Sequence, residues 1–348
     1  MLFDFFFYGL LIFSTFISYN LIPFTTPSNK LLKGIKVLFV IFCGSLWLWQ
    51  LLLWVLPKGS KIEEAIHLPR HLWMLDHAAF KDGEQKQKVA YGTQQRQYYQ
   101  YYPAPSSSNQ KNTVIFYIHG GGWCLGSPNQ HKHLAHLLQK EGYTLIFPAY
   151  RLTPEFNYFD LQEDINAALT HSLEFLKTQG IHHPQLIIGG TSAGANLGCL
   201  LAYDENRWEK MNLDRSILQG VFSIVGALDI AKMEQTSTLL NYTGQPESAT
   251  YQLANPVTWI NQKDSFNFLC LHGKKDGLVD YAAAVSFCDK LNRVAPNRID
   301  FQSFEQATHI DLGAAWYYDP AMNYGQDSIL INWLNKISTP RRTTINLF

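Results

Sequence analysis

Two long uncharged segments open the chain, and charged residues are common only after them. Residues 5–24 and residues 37–56 each run for 20 positions without a charged side chain. An apolar helix of about 20 residues matches the ~30 Å hydrocarbon core of a bilayer. Trp47, Trp49 and Trp54 lie towards one end of the second segment, and amphipathic rings favour the membrane interface. The pattern predicts two transmembrane helices and therefore an integral membrane protein anchored through its N-terminus.

Other interpretations of these segments are a single span, a cleaved signal peptide or buried core helices. A signal peptide carries a basic region before its apolar part, whereas Asp4 is the only early charge. Two consecutive uncharged segments of this length disfavour core helices. Basic residues flank the second segment equally on both sides, so the positive-inside rule does not predict which side of the membrane the rest of the chain occupies.

From residue 113 onwards, short apolar runs alternate with stretches of helical periodicity. Largely apolar strands separated by helices are typical of a mostly parallel sheet covered by helices on both faces. The predicted strands are residues 113–118, 143–148, 185–189, 218–225, 266–271 and 298–304, and the predicted helices are residues 131–141, 159–179, 193–203, 280–294 and 327–336. We therefore expect a membrane anchor (1–56), an entry region with an edge strand near 94–102 (57–112), and an α/β core (113–348).

Composition excludes two classes of protein. The 28 basic and 28 acidic residues balance to a formal net charge of zero, so the chain lacks the excess of positive charge that a nucleic-acid binder uses to neutralise phosphates. A hydrophobic content of 47% excludes a largely disordered chain. The five cysteines show no CxxC and no framework spacing, which predicts free thiols rather than a disulfide-dependent domain.

The strongest chemical motif is the pentapeptide Gly-Thr-Ser-Ala-Gly at residues 190–194. It follows the predicted strand 185–189 directly and opens the predicted helix 193–203. A strand that turns sharply into a helix needs small residues around the turn and leaves its central serine, Ser192, exposed at the apex. The first amides of the helix, including that of Ala193, then face developing negative charge. This context predicts a nucleophilic serine.

A second motif, His-Gly-Gly-Gly-Trp at residues 119–123, follows the predicted strand 113–118. Consecutive glycines let backbone amides approach a substrate oxygen, as an oxyanion hole requires. A phosphate-binding loop is the alternative, but the Lys-Ser/Thr of a P-loop and the GxGxxG spacing of a dinucleotide site are both missing. We expect Trp123, together with residues 227–261, to line the substrate pocket.

A serine nucleophile needs a base and an orienting acid. Asp276 comes just after the predicted strand 266–271, and His309 just after the last strand. The order serine, acid, histidine, each at the carboxyl end of a strand, is that of the α/β-hydrolase fold. Asp280 is the other acid after the same strand, but it directly precedes a helix and is expected to act as its N-cap. We therefore predict a triad of Ser192, Asp276 and His309.

With these motifs, the chain resembles α/β-hydrolase carboxylesterases of the hormone-sensitive-lipase-like group and the related kynurenine formamidase and isoprenylcysteine methylesterase group. The resemblance covers about residues 85–337. It rests on the motifs at 119–123, 150–155, 190–194, 226–229, 272–279 and 307–311. Two positions depart from these families: Thr191 stands where Asp or His is common, and Asn255-Pro256 lacks the usual serine.

The resemblance implies an α/β-hydrolase fold in which the amides of Gly120, Gly121 and Ala193 hold the oxyanion. It implies hydrolysis of small-molecule carboxylic esters through an acyl-enzyme, with no cofactor and no metal. Two alternatives stay open: an amidase of the kynurenine formamidase type, and a non-catalytic, membrane-tethered binding protein with a hydrolase fold. The intact triad disfavours the second.

Two other groups of residues carry less weight. His131, His133 and His136 are spaced so that they cannot all converge on one metal ion from a single helix, and they predict a solvated helix face. Cys124 follows the glycine run, but no base is placed to activate it, so it is expected to line the pocket.

Overall fold

A computed structural model describes residues 30–77, 86–105, 111–264 and 266–338. The eight strands of this part of the chain form one sheet in the order β1-β2-β4-β3-β5-β6-β7-β8. The pairs β1–β2 and β2–β4 are antiparallel, and all later pairs, from β4–β3 to β7–β8, are parallel. The strands are β1 (Gln87–Ala90), β2 (Tyr98–Tyr102), β3 (Thr113–Ile118), β4 (Thr144–Pro148), β5 (Gln185–Thr191), β6 (Leu218–Ile224), β7 (Asn267–Gly273) and β8 (Ile299–Phe304).

Helices connect the parallel strands and cover the sheet on both faces. The α-helices of the described residues are α1 (Lys30–Val55), α2 (Lys61–His77), α3 (Lys132–Lys140), α4 (Tyr158–Thr178), α5 (Ala193–Tyr203), α6 (Glu205–Lys210), α7 (Ser237–Thr243), α8 (Ala249–Leu253), α9 (Pro256–Trp259), α10 (Tyr281–Val294), α11 (His309–Gly313) and α12 (Gln326–Ser338).

Alternation along β3 explains why two cores form. Val114, Phe116 and Ile118 pack on one face with α4, α5 and α10, while Ile115 and Tyr117 pack on the other face with α3 and α12. All six residues of β3 are buried, because in a central strand side chains of both orientations meet a helical layer. The predicted mostly parallel sheet with helices on both faces is confirmed.

The predicted strands and helices of residues 113–338 agree with β3–β8, α3–α5, α10 and α12 to within two residues at each end. The entry region differs more. Residues 98–102 form β2 as an inner strand, because β1 pairs on its outer side, so the prediction of an edge strand there is wrong. Helix α2, which contains Pro69 and eight polar or charged side chains, was not anticipated.

The predicted membrane spans fall at the start of the chain. Residues 5–24 lie outside the described residues. Residues 37–56 fall largely in α1, which begins at Lys30 and so includes the lysines that precede the uncharged segment. Across the described ranges, no helix is both long enough and apolar enough to cross a membrane. The structure thus does not support the predicted spanning helix over residues 37–56.

Candidate active site

Ser192 sits at a sharp turn between β5 and α5. Its backbone has φ of 55°, a left-handed conformation that non-glycine residues adopt at a cost. Its amide donates to the carbonyl of Ile224 on β6 at 2.9 Å, which holds the strained turn against the sheet. A Cβ on Gly194 would lie 2.1 Å from the carbonyl oxygen of Ile118. Only glycine therefore lets α5 begin this close to β3, which explains the small residues of the motif.

The three predicted triad residues meet at the carboxyl ends of β5, β7 and β8. The Ser192 hydroxyl donates to Nε2 of His309 at 3.0 Å. The other ring nitrogen, Nδ1, donates to Oδ2 of Asp276 at 2.8 Å. Because the carboxylate fixes the proton on Nδ1, Nε2 has a free lone pair towards the serine. This is the geometry that a general base needs in order to accept a hydroxyl proton.

Asp276 is fully buried and accepts four hydrogen bonds. Its Oδ1 accepts from the amides of Leu278 (3.0 Å) and Val279 (2.7 Å). Its Oδ2 accepts from His309 and also lies 3.2 Å from Nε2 of His272. Burial acts to raise the pKa of Asp276, but the charge of His309 and these hydrogen bonds outweigh it and leave the pKa below its ordinary value. Asp276 is therefore ionised when it faces the imidazole.

The same ion pair acts on His309 in the opposite direction. Burial lowers the pKa of its imidazole, and the carboxylate of Asp276, its hydrogen bond and the charge of Glu64 more than reverse that effect. The pKa of His309 is thus raised. A raised value makes the imidazole a stronger base and stabilises the cation that forms when it takes a proton.

The alternative acid, Asp280, has a different partner. It occupies the N-cap position of α10, but its side chain makes no capping hydrogen bond. Instead its Oδ2 accepts from the amide of Glu234 at 3.2 Å. The expectation that its carboxylate bonds to the first amides of the helix is therefore wrong, because the side chain is turned towards the segment before α7.

The glycine run lies directly beside the serine. A Cβ on Gly120 would lie 3.2 Å from Cβ of Ser192, so the backbone of residues 120–121 borders the nucleophile. Gly121 has φ of 119°, which a side chain would not tolerate. Its carbonyl accepts from the amides of Cys124 and Leu125 in a tight turn. The backbone of Gly120, one of the predicted oxyanion donors, therefore lies beside Ser192, and the predicted donor Ala193 follows Ser192 in the chain.

Three groups hold this glycine run in place. The ring of His119 stacks on Tyr150 at a centroid distance of 4.4 Å, and the Tyr150 hydroxyl donates to the carbonyl of His119 at 2.9 Å. Burial lowers the pKa of His119 far below its ordinary value, which keeps the ring neutral. Arg96 donates to the carbonyls of Tyr150 (2.7 Å) and Gly126 (2.8 Å). Arg96 lies in the predicted entry region, where its sequence context carries no catalytic motif.

The side chain of Trp123 is buried against a neighbouring helix and is not exposed to solvent. It is buried, and its indole ring stacks on Tyr242 of α7 at 4.4 Å between centroids with an interplanar angle of 10°. A Cβ on Gly122 would lie 3.0 Å from Cγ2 of Thr238, also on α7. Helix α7 therefore packs against the glycine run. The lining of a substrate pocket by Trp123 and residues 227–261 stays a prediction.

Thr191, one of the departures from the resembling families, joins a buried polar cluster. Its hydroxyl hydrogen-bonds to that of Tyr117, and the Tyr117 hydroxyl lies 3.2 Å from Nδ1 of His131. His131 is buried beside Tyr117 and Tyr317, and His133 stacks on Tyr317. The predicted solvated histidine face is thus wrong for His131, because Tyr117 of β3 and Tyr317, which follows α11, enclose its ring. No cluster of metal-ligating side chains occurs among the described residues.

Asn255, the other position that departs from the resembling families, forms hydrogen bonds within the segment between β6 and β7. Its Oδ1 accepts from the amide of Ile230 at 3.1 Å, and its Nδ2 donates to Oδ1 of Asp229 at 3.0 Å.

The cysteines of the catalytic part of the chain are free thiols, and the proposed triad uses none of them. Cys199, Cys270 and Cys288 are buried, and Cys124 is half-buried with its thiol near the carbonyl of Gly121 at 3.7 Å.

Glu64 is a further residue of the candidate site, besides Arg96, that the sequence did not point to. Its side chain comes from α2, yet it accepts hydrogen bonds from the loops that carry Asp276 and His309. Glu64 and Ile310 are 246 positions apart, and no local pattern links them.

Parts of the chain are similar in sequence to known ester hydrolases and deacetylases. LipM of Mycobacterium tuberculosis, named as a probable carboxylic ester hydrolase, is 27% identical over 211 residues, which cover 56% of this chain and 48% of LipM. Arylacetamide deacetylase of Bos taurus is 33% identical over 93 residues, 25% of this chain and 23% of that protein. The chain thus matches at most about half the length of these two relatives.

A solved structure agrees with the fold, and a family model gives the assignment. Esterase B from Lactobacillus Rhamnosis has a TM-score of 0.64 at 18% identity, covering 80% of this chain and 93% of that one. The model of the BD-FAE family matches residues 101–291, a range that includes the glycine run, Ser192 and Asp276. Because this match spans more than half of the 348 residues, the chain belongs to the BD-FAE family.

Proposed function

We propose that this protein hydrolyses carboxylic esters by nucleophilic catalysis, with Ser192 as nucleophile, His309 as general base and Asp276 as the orienting acid. The observation that carries the proposal is the continuous hydrogen-bonded chain from the Ser192 hydroxyl through His309 to Asp276. The esterase names of its relatives support the choice of ester as the substrate class.

In the first half-reaction, Oγ of Ser192 attacks the ester carbonyl while Nε2 of His309 takes its proton. The carbonyl oxygen becomes an oxyanion, and the amides of Gly120, Gly121 and Ala193 donate to it. A preorganised donor of this kind typically contributes ~3 kcal/mol of transition-state stabilisation. His309 then gives its proton to the leaving alkoxide, and the acyl group stays on Ser192 as an ester.

In the second half-reaction, water replaces the alcohol. His309 accepts a proton from the water as its oxygen attacks the acyl carbonyl, and the same amides hold the second oxyanion. The intermediate collapses, the carboxylic acid leaves, and Oγ of Ser192 recovers the proton from His309. Asp276 keeps its charge throughout and stabilises the imidazolium in both steps. Each step uses only side chains and amides of this chain with substrate and water.

The test pairs two substrates that share a formyl group and an aromatic leaving ring: p-nitrophenyl formate and p-nitroformanilide. We expect purified protein to hydrolyse the ester with the higher kcat/KM and to take a fluorophosphonate label on Ser192. Esters of increasing acyl length then define the acyl pocket. Faster hydrolysis of the anilide would indicate an amidase instead, and neither hydrolysis nor labelling would indicate a binding protein with a hydrolase fold.

We further propose that residues 1–56 attach the enzyme to a membrane. The support is the run of two uncharged 20-residue segments and the exposure of apolar side chains on α1, where Leu38 is 68% and Ile41 is 61% exposed. Transfer of such exposed apolar surface from water into a membrane is favourable.

We expect the full-length protein to stay in the membrane fraction through a carbonate wash. A variant that begins at residue 57 should be soluble and active, because it keeps α2 and its contacts with the triad loops. A matched deletion that ends at residue 29 shows whether the first segment alone is responsible. Full-length protein in the soluble fraction would contradict this attachment.

A further inference from the structure

Glu64 is a buried carboxylate that joins two loops of the proposed triad. Its side chain is 1% exposed. One oxygen, Oε2, accepts from the amide of Gly277, the residue after Asp276, at 2.6 Å. The other, Oε1, accepts from the amide of Ile310, the residue after His309, at 2.9 Å. Each oxygen therefore binds one loop, immediately next to the side chain that the mechanism uses.

The segment before Glu64 packs against the same two loops. A Cβ on Gly59 would lie 2.1 Å from the carbonyl oxygen of Lys275, so backbone touches backbone at the acid loop. Nζ of Lys58 pairs with Oδ2 of Asp311, two positions after His309, at 3.0 Å. These contacts hold the start of α2 in place, so the carboxylate of Glu64 has a fixed position relative to both loops.

We propose that Glu64 is a positioning residue of the active site, whose carboxylate sets the separation of the Asp276 and His309 loops and whose charge stabilises the imidazolium of His309. The inference rests on the proposed function, because it assigns His309 as the base. Burial raises the pKa of the Glu64 carboxyl, and the charge of His309 and the amides of Ile310 and Gly277 oppose that rise by stabilising the ionised form. Burying an unpaired carboxylate costs much free energy, which indicates that the charge of Glu64 interacts with its neighbours.

The charge of Glu64 has a definite effect on His309. It is one of the groups that raise the pKa of the imidazole, and removing it should lower that pKa. Burial lowers the pKa of His71, which also faces His309 from α2, to about 3, so His71 stays neutral over a normal assay range. Among the described residues, the other charged groups near His309 are Asp276 on the acid loop and the Asp311–Lys58 pair. His272 faces the same carboxylate, with Nε2 at 3.2 Å from Oδ2 of Asp276.

The first test is Glu64→Gln, measured by kcat/KM against pH for an ester substrate. The acid limb of this profile reports the pKa of the base in the free enzyme. We expect it to move to lower pH by about one unit, because loss of a nearby negative charge disfavours the imidazolium. We also expect kcat to fall by roughly tenfold, since an amide cannot accept at both ends and the triad geometry loosens.

Asp76→Asn is the matched control. It removes the same charge from the other end of α2, where the side chain is exposed and lies about 18 Å further along the helix. This variant should keep the wild-type profile. A role for Glu64 in folding alone would lower the amount of active enzyme and leave the acid limb where it is, so an unshifted limb in Glu64→Gln overturns the charge assignment.

Glu64→Asp separates position from charge and also serves if Glu64→Gln fails to fold. It keeps the charge but is one methylene too short to reach both amides. We expect a lower kcat with the wild-type acid limb, and wild-type kcat in this variant would overturn the positioning role. Failure of the proposed function looks different: the wild-type protein itself would then show neither ester turnover nor fluorophosphonate labelling.

Discussion

Replacing Ser192 with alanine is expected to lower ester turnover by ~10⁶, the usual cost of removing a triad serine. Without Oγ no acyl-enzyme can form, and only the oxyanion donors and substrate binding still favour the reaction. The fold should survive, because the hydroxyl bonds to the imidazole of His309 rather than to the backbone of the turn, and alanine has a similar backbone preference there. The measurement is kcat for a p-nitrophenyl ester, with the unfolding temperature as the check on folding.

Ser286→Ala is the matched control for Ser192→Ala. The Ser286 hydroxyl is also hydrogen-bonded, to Oδ2 of Asp229 at 2.6 Å, but it contacts none of the triad residues. This variant should keep near-normal turnover even if its stability falls by about 1 kcal/mol. Near-normal turnover by purified Ser192→Ala would end the serine-hydrolase proposal, whereas loss of activity in both variants would point to a general effect on folding.

Asp276→Asn is expected to lower turnover by ~10⁴, and the hydrogen bonds around the side chain explain why. Two backbone amides donate to Oδ1, so an asparagine will place its oxygen there and its NH₂ towards His309. The imidazole must then accept through Nδ1 and carry its proton on Nε2, which faces Ser192. In that tautomer the ring cannot take the serine proton.

The pH profile of Asp276→Asn gives a second readout. Since the carboxylate raises the pKa of His309, its loss should move the acid limb of the residual activity to lower pH. Asp280→Asn makes the same chemical change four positions later, at a side chain bonded to the amide of Glu234, and should leave turnover intact. An inactive Asp280→Asn beside an active Asp276→Asn would show that the acid is misassigned.

Local sequence context was enough to predict the elements that carry the chemistry. The turn at Ser192 and the glycine run at 120–122 are contiguous segments in which small residues are required by close backbone approach. The strands before them are short apolar runs buried on both faces. Such features depend on neighbours within a few positions, so they can be recognised without the fold. The expected positions of Asp276 and His309 followed because parallel strands bring their carboxyl ends to one edge.

Elements whose burial depends on distant partners were predicted less well. Helix α2 is rich in polar residues and contains a proline, so its sequence indicates neither a strong helix nor a buried face. Strand β1 has four residues, mostly exposed, too few for a period-2 pattern. His131 looks like a surface histidine until Tyr117 and Tyr317 enclose it.

Local sequence patterns were sufficient to predict the motifs of the candidate site: a serine at a strand–helix turn, a glycine run beside it, and an acid and a histidine after later strands of a parallel sheet. The side chains that surround these motifs depend on the tertiary fold. Glu64 and Ile310 are brought into contact from 246 positions apart, and Trp123 is closed off by Tyr242. The physical reason is that backbone turns are governed by local sterics, whereas the partner of a buried carboxylate or ring is set by how whole layers pack.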